Sequence, residues 1–388
     1  MKLEQLTSVL DFQGGSQPPK KDFESQPSKS NIRFLQIRDF KTDEKIVYIP
    51  ISKKNRLCKK DDILIARYGA SVGQILSGKE GAYNVALMKV IDKNELYKTR
   101  YLYYFFNSPY FQKNLLSRSE RSAQAGFNKG DLSEIKIPTP TLQEQEKIVE
   151  RLDEVFKNID KLTEDLTKNI KNSKSLFFSF LNETFRGNRS EDLIELEKLS
   201  TYISRGLQPK YTDKSKTLVI NQRCIRDNQI NFEVSRYHDQ NIKKVSDDKK
   251  IQIGDILINS TGVGTLGRVA QVTELPTSSD VTVDTHVTIF RPNFNILNKE
   301  FTNWLFIYLE NLIEKMGVGA SGQTELRRED LKNMKIINPP NEKIQQNISD
   351  KLNNLKNPYD NYLRLKEDLI IKYSMLRKSI LDKEFSHE

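Results

Sequence analysis

The stretch from Thr141 to Gly187 constrains the fold more than any other part of the chain. Thr141 with Glu144 three residues on is a capping-box pattern, in which each side chain takes a backbone N–H that the first helical turn leaves free. Apolar residues then recur at Ile148, Leu152, Val155, Ile159, Leu162 and Leu166. These alternating four- and three-residue steps are the a/d seam of a coiled coil, narrower than the stripe of a helix lying on a globular core. Gly187 stands where a C′ glycine closes a helix. At about 1.5 Å per residue the helix would reach roughly 65–70 Å, more than a small domain is wide. So long a seam needs a partner helix.

The chain carries that partner. Residues 341–385 match residues 141–185 at an offset of 200 without a gap. Leu152 falls on Leu352, Asp160 on Asp360, Ile170 on Ile370 and Leu176 on Leu376, while Ser179, Leu181 and Phe185 fall on Ser379, Leu381 and Phe385. The second seam runs Ile348, Leu352, Leu355, Tyr359, Tyr362 and resumes at Leu369, Tyr373, Leu376 and Ile380. Proline lacks the N–H that a helix interior needs, so Asn357-Pro358 is expected to break or kink this second helix.

The segments ahead of the helices repeat more loosely. Gly15-Ser16-Gln17-Pro18 parallels Gly206-Leu207-Gln208-Pro209, and Asp62-Ile63-Leu64-Ile65 parallels Asp255-Ile256-Leu257-Ile258. Asn84-Val85-Ala86-Leu87 aligns with His286-Val287-Thr288-Ile289, strand-like by alternation. Tyr101 to Leu116 and Phe301 to Lys315 read as helices, and Gly126 to Pro140 parallels Gly322 to Pro340. The fold class expected is α+β. Two similar α/β domains (1–140 and 188–340) are each followed by a long helix (141–187 and 341–388). The helices pair as an antiparallel coiled coil with pseudo-two-fold symmetry.

Composition excludes little and favours less. At 388 residues there is room for two or three cores. No apolar run is long enough to span a bilayer, and the start, MKLEQLTSVLDFQGG, lacks a signal-peptide pattern. Cys58 and Cys224 form no metal-type cluster and read as reduced thiols of a cytoplasmic protein. His238, His286 and His387 are too scattered for a zinc site. The net charge of +10 fits a lysine-rich composition as well as a polyanionic partner such as nucleic acid.

Enzyme-like motifs fail on context. Gly262-Val263-Gly264-Thr265-Leu266-Gly267 fits G-x-G-x-x-G, with Asp284 about 20 residues on, but a dinucleotide loop must open a helix. Here the β-like Arg268-Val269-Ala270-Gln271-Val272 follows, and the sister copy reads YGASVGQ. Asn338-Pro339-Pro340-Asn341 lacks the aromatic of a methyltransferase loop and reads as the approach to a capped helix. No P-loop, H-E-x-x-H or nucleophile–base pairing is present, so no catalytic or metal residue is assigned.

What remains are polar and basic side chains on the glycine loops and their neighbours. In the first half they are Arg33, Arg38, Arg67, Tyr68, Ser71, Gln74, Gln124, Asn128 and Lys129. In the second they are Arg223, Arg226, Ser260, Thr261, Thr265, Arg268, Gln323, Thr324, Arg327 and Arg328. Each alone is ordinary loop chemistry. Set at matching places in both halves, they suit base-edge and phosphate contacts.

The chain resembles the specificity subunits of type I restriction–modification systems over nearly its whole length. The likeness rests on the two G-x-Q-P segments, DILIARYGASVG, GDILINSTGVGTLGR, VDTHVTIFRP, ASGQTEL and PTPTLQEQEKIVERLDEVF with its terminal SFLNETFRG. It implies a non-catalytic subunit whose two globular domains each read one half of a bipartite double-stranded DNA target. The paired helices would set the spacing and dock two methyltransferase subunits, with restriction subunits completing the complex. S-adenosylmethionine, ATP and magnesium would belong to those partners, and no membrane is involved. The second copy departs from the family pattern, with Ile344-Gln345 standing where Glu144-Gln145 does. The helices match far better than the domains do, which points to one shared docking surface and two different half-sites. A stand-alone DNA-binding repeat protein or regulator, and an enzyme with an unseen site, are the alternatives.

Overall fold

The computed structural model describes residues 2–119, 126–186, 192–277, 280–319 and 324–386. Its α-helices are α1 (Leu6–Val9), α2 (Thr99–Asn107), α3 (Pro109–Ser119), α4 (Leu142–Arg186), α5 (Lys299–Lys315), α6 (Arg328–Lys332) and α7 (Glu342–Phe385). None of these is long and apolar enough to cross a membrane. Two compact units emerge: Met1–Thr167 with Lys366–Glu388, and Lys168–Leu365. Each unit thus holds one globular domain, the first part of its own long helix and the last part of the other one.

In the first unit, an antiparallel sheet runs in the order Asp11–Gly14, Leu87–Ile91, Leu64–Ala66, Ile75–Leu76. A second sheet orders Tyr48–Pro50, Asn31–Leu35, Gly81–Tyr83 and Leu57–Cys58, and its middle two strands are parallel. Helices α2 and α3 cover the first sheet with Tyr101, Phe105, Phe106, Phe111 and Leu115. Leu152, Phe156 and Ile159 of α4 and Leu381 and Phe385 of α7 complete that core. The second unit repeats the plan. Ser200–Arg205, Val287–Pro292, Ile256–Asn259 and Val269–Gln271 form the covered sheet. The other sheet orders Tyr211–Thr212, Arg236–His238, Thr217–Ile220 and Asp280–Val283, with the last two strands parallel. Helix α5 closes the core together with Leu181 and Phe185 of α4 and Leu352 of α7.

Within each unit the two long-helix segments run antiparallel. In the first, Arg151 bridges Glu384 and Asp160 bridges Arg377, so one helix ascends as the other descends. In the second, Phe177 stacks on Tyr359 at 4.4 Å and lies tilted against Trp304 at 6.1 Å. The repeated Ser-x-Leu-x-x-x-Phe ending explains itself here. Phe385 plugs the first unit against Tyr101 and Phe105, and Phe185 plugs the second against Phe301 and Tyr308. The seam buries less than its spacing implied. Leu152, Ile159, Leu166 and Leu352 are buried, but Leu162, Leu355, Tyr362 and Leu376 are exposed. The pairing relies more on Phe156, Phe177, Leu181, Leu381 and the two terminal phenylalanines than on the middle of the heptads.

Two prolines behave against expectation. Helix α7 passes through Pro358 without interruption. The N–H lost there leaves the Asn354 carbonyl free, and both residues lie on the exposed face where water can serve it. Leu352 and Tyr359, packed before and after it, hold the segment in line. By contrast, the helix expected over Tyr101 to Leu116 is split in two at Ser108-Pro109. The buried Ser108 hydroxyl accepts the Phe111 N–H at 3.2 Å, and Pro109 takes the first helical position. The turn folds Phe111 and Leu115 back onto the core that Phe105 and Phe106 already occupy.

The long helices are fastened at their starts by the same device. The capping box of α4 forms: Thr141 N–H donates to Glu144 at 2.8 Å, and Glu144 N–H donates to the Thr141 hydroxyl at 3.3 Å. In α7 Asn341 caps alone, accepting from Ile344 N–H at 3.1 Å. The glutamine that follows does more. Gln145 is fully buried, accepts the Lys98 N–H at 2.8 Å and donates to the carbonyls of Leu96 and Pro140. Gln345 accepts the Asn298 N–H at 2.7 Å and donates to those of Ile296 and Pro340. Each glutamine ties the start of α2 or α5 to the start of a long helix. Substituting Glu144 by Ile344 in the second copy therefore costs half a capping box and leaves this joint intact.

Candidate nucleic-acid interface

Backbone hydrogen bonds fix which residues correspond between the units. Gly15 N–H donates to Leu87 O and Gly206 N–H to Val287 O. Ser16 bridges Asn84 as Leu207 bridges Asp284. Asn84 therefore corresponds to Asp284, two residues earlier than the alignment with His286. A two-residue slip preserves strand alternation, so the sequence pattern could not register it. The two G-x-Q-P glycines are required by sterics. A Cβ on Gly15 would lie 2.0 Å from the Asn84 carbonyl oxygen, and one on Gly206 1.9 Å from that of Val283.

In both units the covered sheet ends in a hairpin whose loop holds left-handed glycines. Residues 67–74 turn through Gly69 and Gly73, and residues 260–268 through Gly262, Gly264 and Gly267. Arg268 follows Gly267 and the strand Val269–Gln271 begins at the next residue, so G-x-G-x-x-G leads into a strand and opens no helix, against a dinucleotide loop. A later segment zips onto each loop. Tyr68 bridges Gly126 and Arg67 O accepts Phe127 N–H; Thr261 bridges Glu325 and Ser260 O accepts Leu326 N–H.

This zipper brings together part of the sequence-derived set. In the first unit Arg67, Tyr68, Ser71 and Gln74 share the loop, and Asn128 and Lys129 follow the zippered strand. The Arg67 guanidinium lies over the exposed Tyr68 ring at 5.0 Å. Asn128 is taken by a turn, accepting Gly130 N–H at 2.7 Å, and Lys129 pairs with Asp11. Lys129, then Lys93, then the Phe12 N–H hold the Asp11 carboxyl well below the usual carboxylate range. Arg33 lies on the other sheet, paired with Asp43, and Arg38 is exposed beside Asp39. Gln124 and Gln323 lie outside the described residues.

In the second unit Thr261, Thr265, Arg268 and Thr324 meet at the loop. The Thr261 hydroxyl is 2.7 Å from His286 Nδ1, Thr265 donates to the Thr261 carbonyl at 3.0 Å, and Arg268 donates to Gly264 O at 2.6 Å. Arg223 and Arg226 are exposed beyond the strand Thr217–Ile220, and neighbouring Gln222 accepts the Thr261 hydroxyl of the loop at 3.4 Å and, through its backbone carbonyl, Asn259 Nδ2 at 3.0 Å. Ser260 corrects the sequence reading. It is fully buried, its hydroxyl 2.6 Å from that of Thr288, and it presents nothing to a ligand. It follows directly on the strand Ile256–Asn259, every residue of which is buried. Asp284 is also buried, accepts His286 N–H at 2.9 Å, and has its carboxyl pushed up by desolvation.

Sequence reasoning missed Arg205 and Lys249. With Arg327 and Arg328 they line a cleft of about 440 Å³ beside the loop, shared with Ser204, Gly206 and Glu325. Arg205 donates to the Leu326 carbonyl and pairs with Glu325. Among the described residues, no carboxylate pairs with Lys249 or Arg327. The signal available was position: Arg205 immediately precedes the repeated Gly206-Leu207-Gln208-Pro209.

Residues 1–172 and 189–368 each match the family described as type I restriction modification DNA specificity domain. The specificity subunit of the type I restriction enzyme MjaVIII from Methanocaldococcus jannaschii is 26% identical over 197 residues, covering 48% of this chain and 45% of that protein. That of EcoBI from Escherichia coli is 27% identical over 142 residues, covering 36% and 30%. The chain thus matches less than half the length of these relatives. Among solved structures, a chain from a type I R-M system superposes with a TM-score of 0.75 at 16% identity, covering 98% of this chain and 96% of that one. The HsdS subunit from Thermoanaerobacter tengcongensis gives 0.51 at 16% identity, covering 99% and 96%. Two domain matches in one chain, on the two halves of a structural repeat, place this protein in the type I restriction–modification DNA specificity family.

Proposed function

We propose that the chain is the DNA sequence-specificity subunit of a type I restriction–modification complex and is itself non-catalytic. The observation that carries this is the pair of glycine hairpins: the same zippered scaffold in both units, with different side chains at its surface. A common scaffold presents a reading loop, and unlike loops read unlike half-sites, so the target is bipartite and asymmetric. The long helices set the gap between half-sites, because displacement along the duplex is coupled to rotation about it. The exposed apolar side chains at Leu162, Leu176, Leu355, Tyr362, Leu365 and Leu376 then serve as contacts for two methyltransferase subunits. S-adenosylmethionine, ATP and magnesium belong to the methyltransferase and restriction subunits in this reading. Purification of the chain co-expressed with its modification subunit tests it. A stable complex with two modification subunits, methylating DNA only when all are present, is expected. Methylation or cleavage by the isolated chain would overturn it.

A further inference from the structure

The two units place a guanidinium on the corresponding carbonyl from two different positions in the chain. In the first unit Arg67 Nε donates to the Phe127 carbonyl at 3.4 Å. In the second, an Arg205 terminal nitrogen donates to the Leu326 carbonyl at 2.5 Å. Phe127 and Leu326 correspond, because each gives its N–H to the residue that opens the glycine loop. The arginines do not correspond. Sheet register sets Gly14 opposite Met88 and Arg205 opposite Thr288, so Arg205 stands where the first unit has Gly14. Arg67 stands where the second unit has buried Ser260, since their N–H groups bond the carbonyls of Ala86 and His286. The exchange is reciprocal. The first unit has Gly14 where the second roots its arginine, and a Cβ there would lie 3.0 Å from the movable Arg67 guanidinium.

Almost everything else around this carbonyl differs. Tyr68 corresponds to Thr261, Gly126 to Glu325, and Asn128-Lys129 to Arg327-Arg328. A cation kept in place while the reading side chains change serves a feature common to both half-sites. In DNA that feature is the phosphodiester, whereas base edges vary. The guanidinium retains donors for it. Arg67 spends one N–H on Phe127, and its other four have no partner among the described residues. Arg205 spends one on Leu326 and one on Glu325, whose carboxylate is half-exposed. Resting on the specificity reading above, we propose that Arg67 and Arg205 are equivalent phosphate-contacting arginines. One stands in each unit, seating the DNA backbone beside the glycine hairpin.

The test uses the chain in complex with its modification subunits and a duplex carrying the motif that the wild-type complex methylates. Affinity is followed across a salt series. Arg67→Ser and Arg205→Gln should each reduce the slope of log K against log salt by about 1, the contribution of one phosphate contact. The methylated motif should stay the same in both. Relocating the cation with Gly14→Arg plus Arg67→Ser, which builds the second unit's arrangement into the first, should restore the slope. Glu325→Gln should tighten binding by freeing Arg205. A motif that loses a base in either variant would make the arginine a base reader and overturn the proposal. So would an unchanged slope, or a relocation that fails to restore it. Arg205→Gln leaves the Arg67–Tyr68 stack untouched, so the idea stays testable if Arg67→Ser does not fold. A wild-type complex without salt-dependent DNA binding would sink the specificity reading itself, and this inference with it.

Discussion

Phe385→Ala is the sharpest probe of how the long helices are held. Phe385 is fully buried in the first unit, 5.3 Å from the Tyr101 ring and 5.7 Å from Phe105, with Leu381 one turn earlier in the same core. Removing a buried phenylalanine costs about 3–5 kcal/mol, and the cavity here is walled by aromatic rings that cannot collapse easily. The loss falls on one place. Lys366–Phe385 belongs to the first unit, while Glu342–Leu365 is held in the second by Leu352, Tyr359 and Gln345. Local opening of the last part of α7 should therefore become easier by about 100-fold or more. Hydrogen exchange read by mass spectrometry should show faster exchange over residues 366–385 and unchanged exchange over 342–365. Phe185→Ala should give the mirror result over residues 168–186. Protection lost evenly along α7, or not at all, would refute the view that each long helix is fastened at its end by the other copy's domain.

Other consequences are as direct. Gly206→Ala sets a Cβ 1.9 Å from the Val283 carbonyl oxygen and should cost more than about 4 kcal/mol in a denaturant titration of the second unit, with Gly15→Ala doing the same to the first. Gln345→Ala strips partners from Asn298 N–H and two carbonyls and should cost about 3 kcal/mol, whereas Ile344→Glu, which completes the capping box of α7, should stabilise by about 0.5–1 kcal/mol. Asp284→Asn should stabilise the second unit at neutral pH. Burial raises the carboxyl pKa in the folded state, so the unfolded chain releases that proton first, and folding is penalised increasingly as pH rises from the unfolded value to the folded one. The gain from asparagine should therefore shrink as the pH is lowered towards 4, and Asn84 already makes the equivalent bond to Ala86 N–H at 3.1 Å. A melting-temperature difference that grows on acidification would contradict it.

Much of this architecture was legible because it is written twice. A seam repeated at an offset of 200 identified both long helices, and the G-x-Q-P glycines marked the tightest backbone crossing in each unit. What escaped the sequence was what packing decides. Proline's effect depended on surroundings: Pro358 sits on an exposed face of a helix held on both sides, while Pro109 follows a buried capping serine at a turn. Spacing alone gave the seam, but not that Leu162, Leu355, Tyr362 and Leu376 stay exposed while the terminal phenylalanines are buried. The buried Ser260 and the overlooked Arg205 have one cause. A loop residue's side of the sheet is set by register, and register across the weakly repeated domains could be read only from hydrogen bonds.

The central claim is that two unlike reading surfaces on one repeated scaffold select one asymmetric DNA target. Mapping methylated bases across a genome modified by the complex tests it most directly. The account predicts a two-part motif with a fixed gap and two different halves, of which loop substitutions at Arg268 alter one and those at Tyr68 the other. A continuous motif, a palindrome, or loop variants that change both halves together would contradict it.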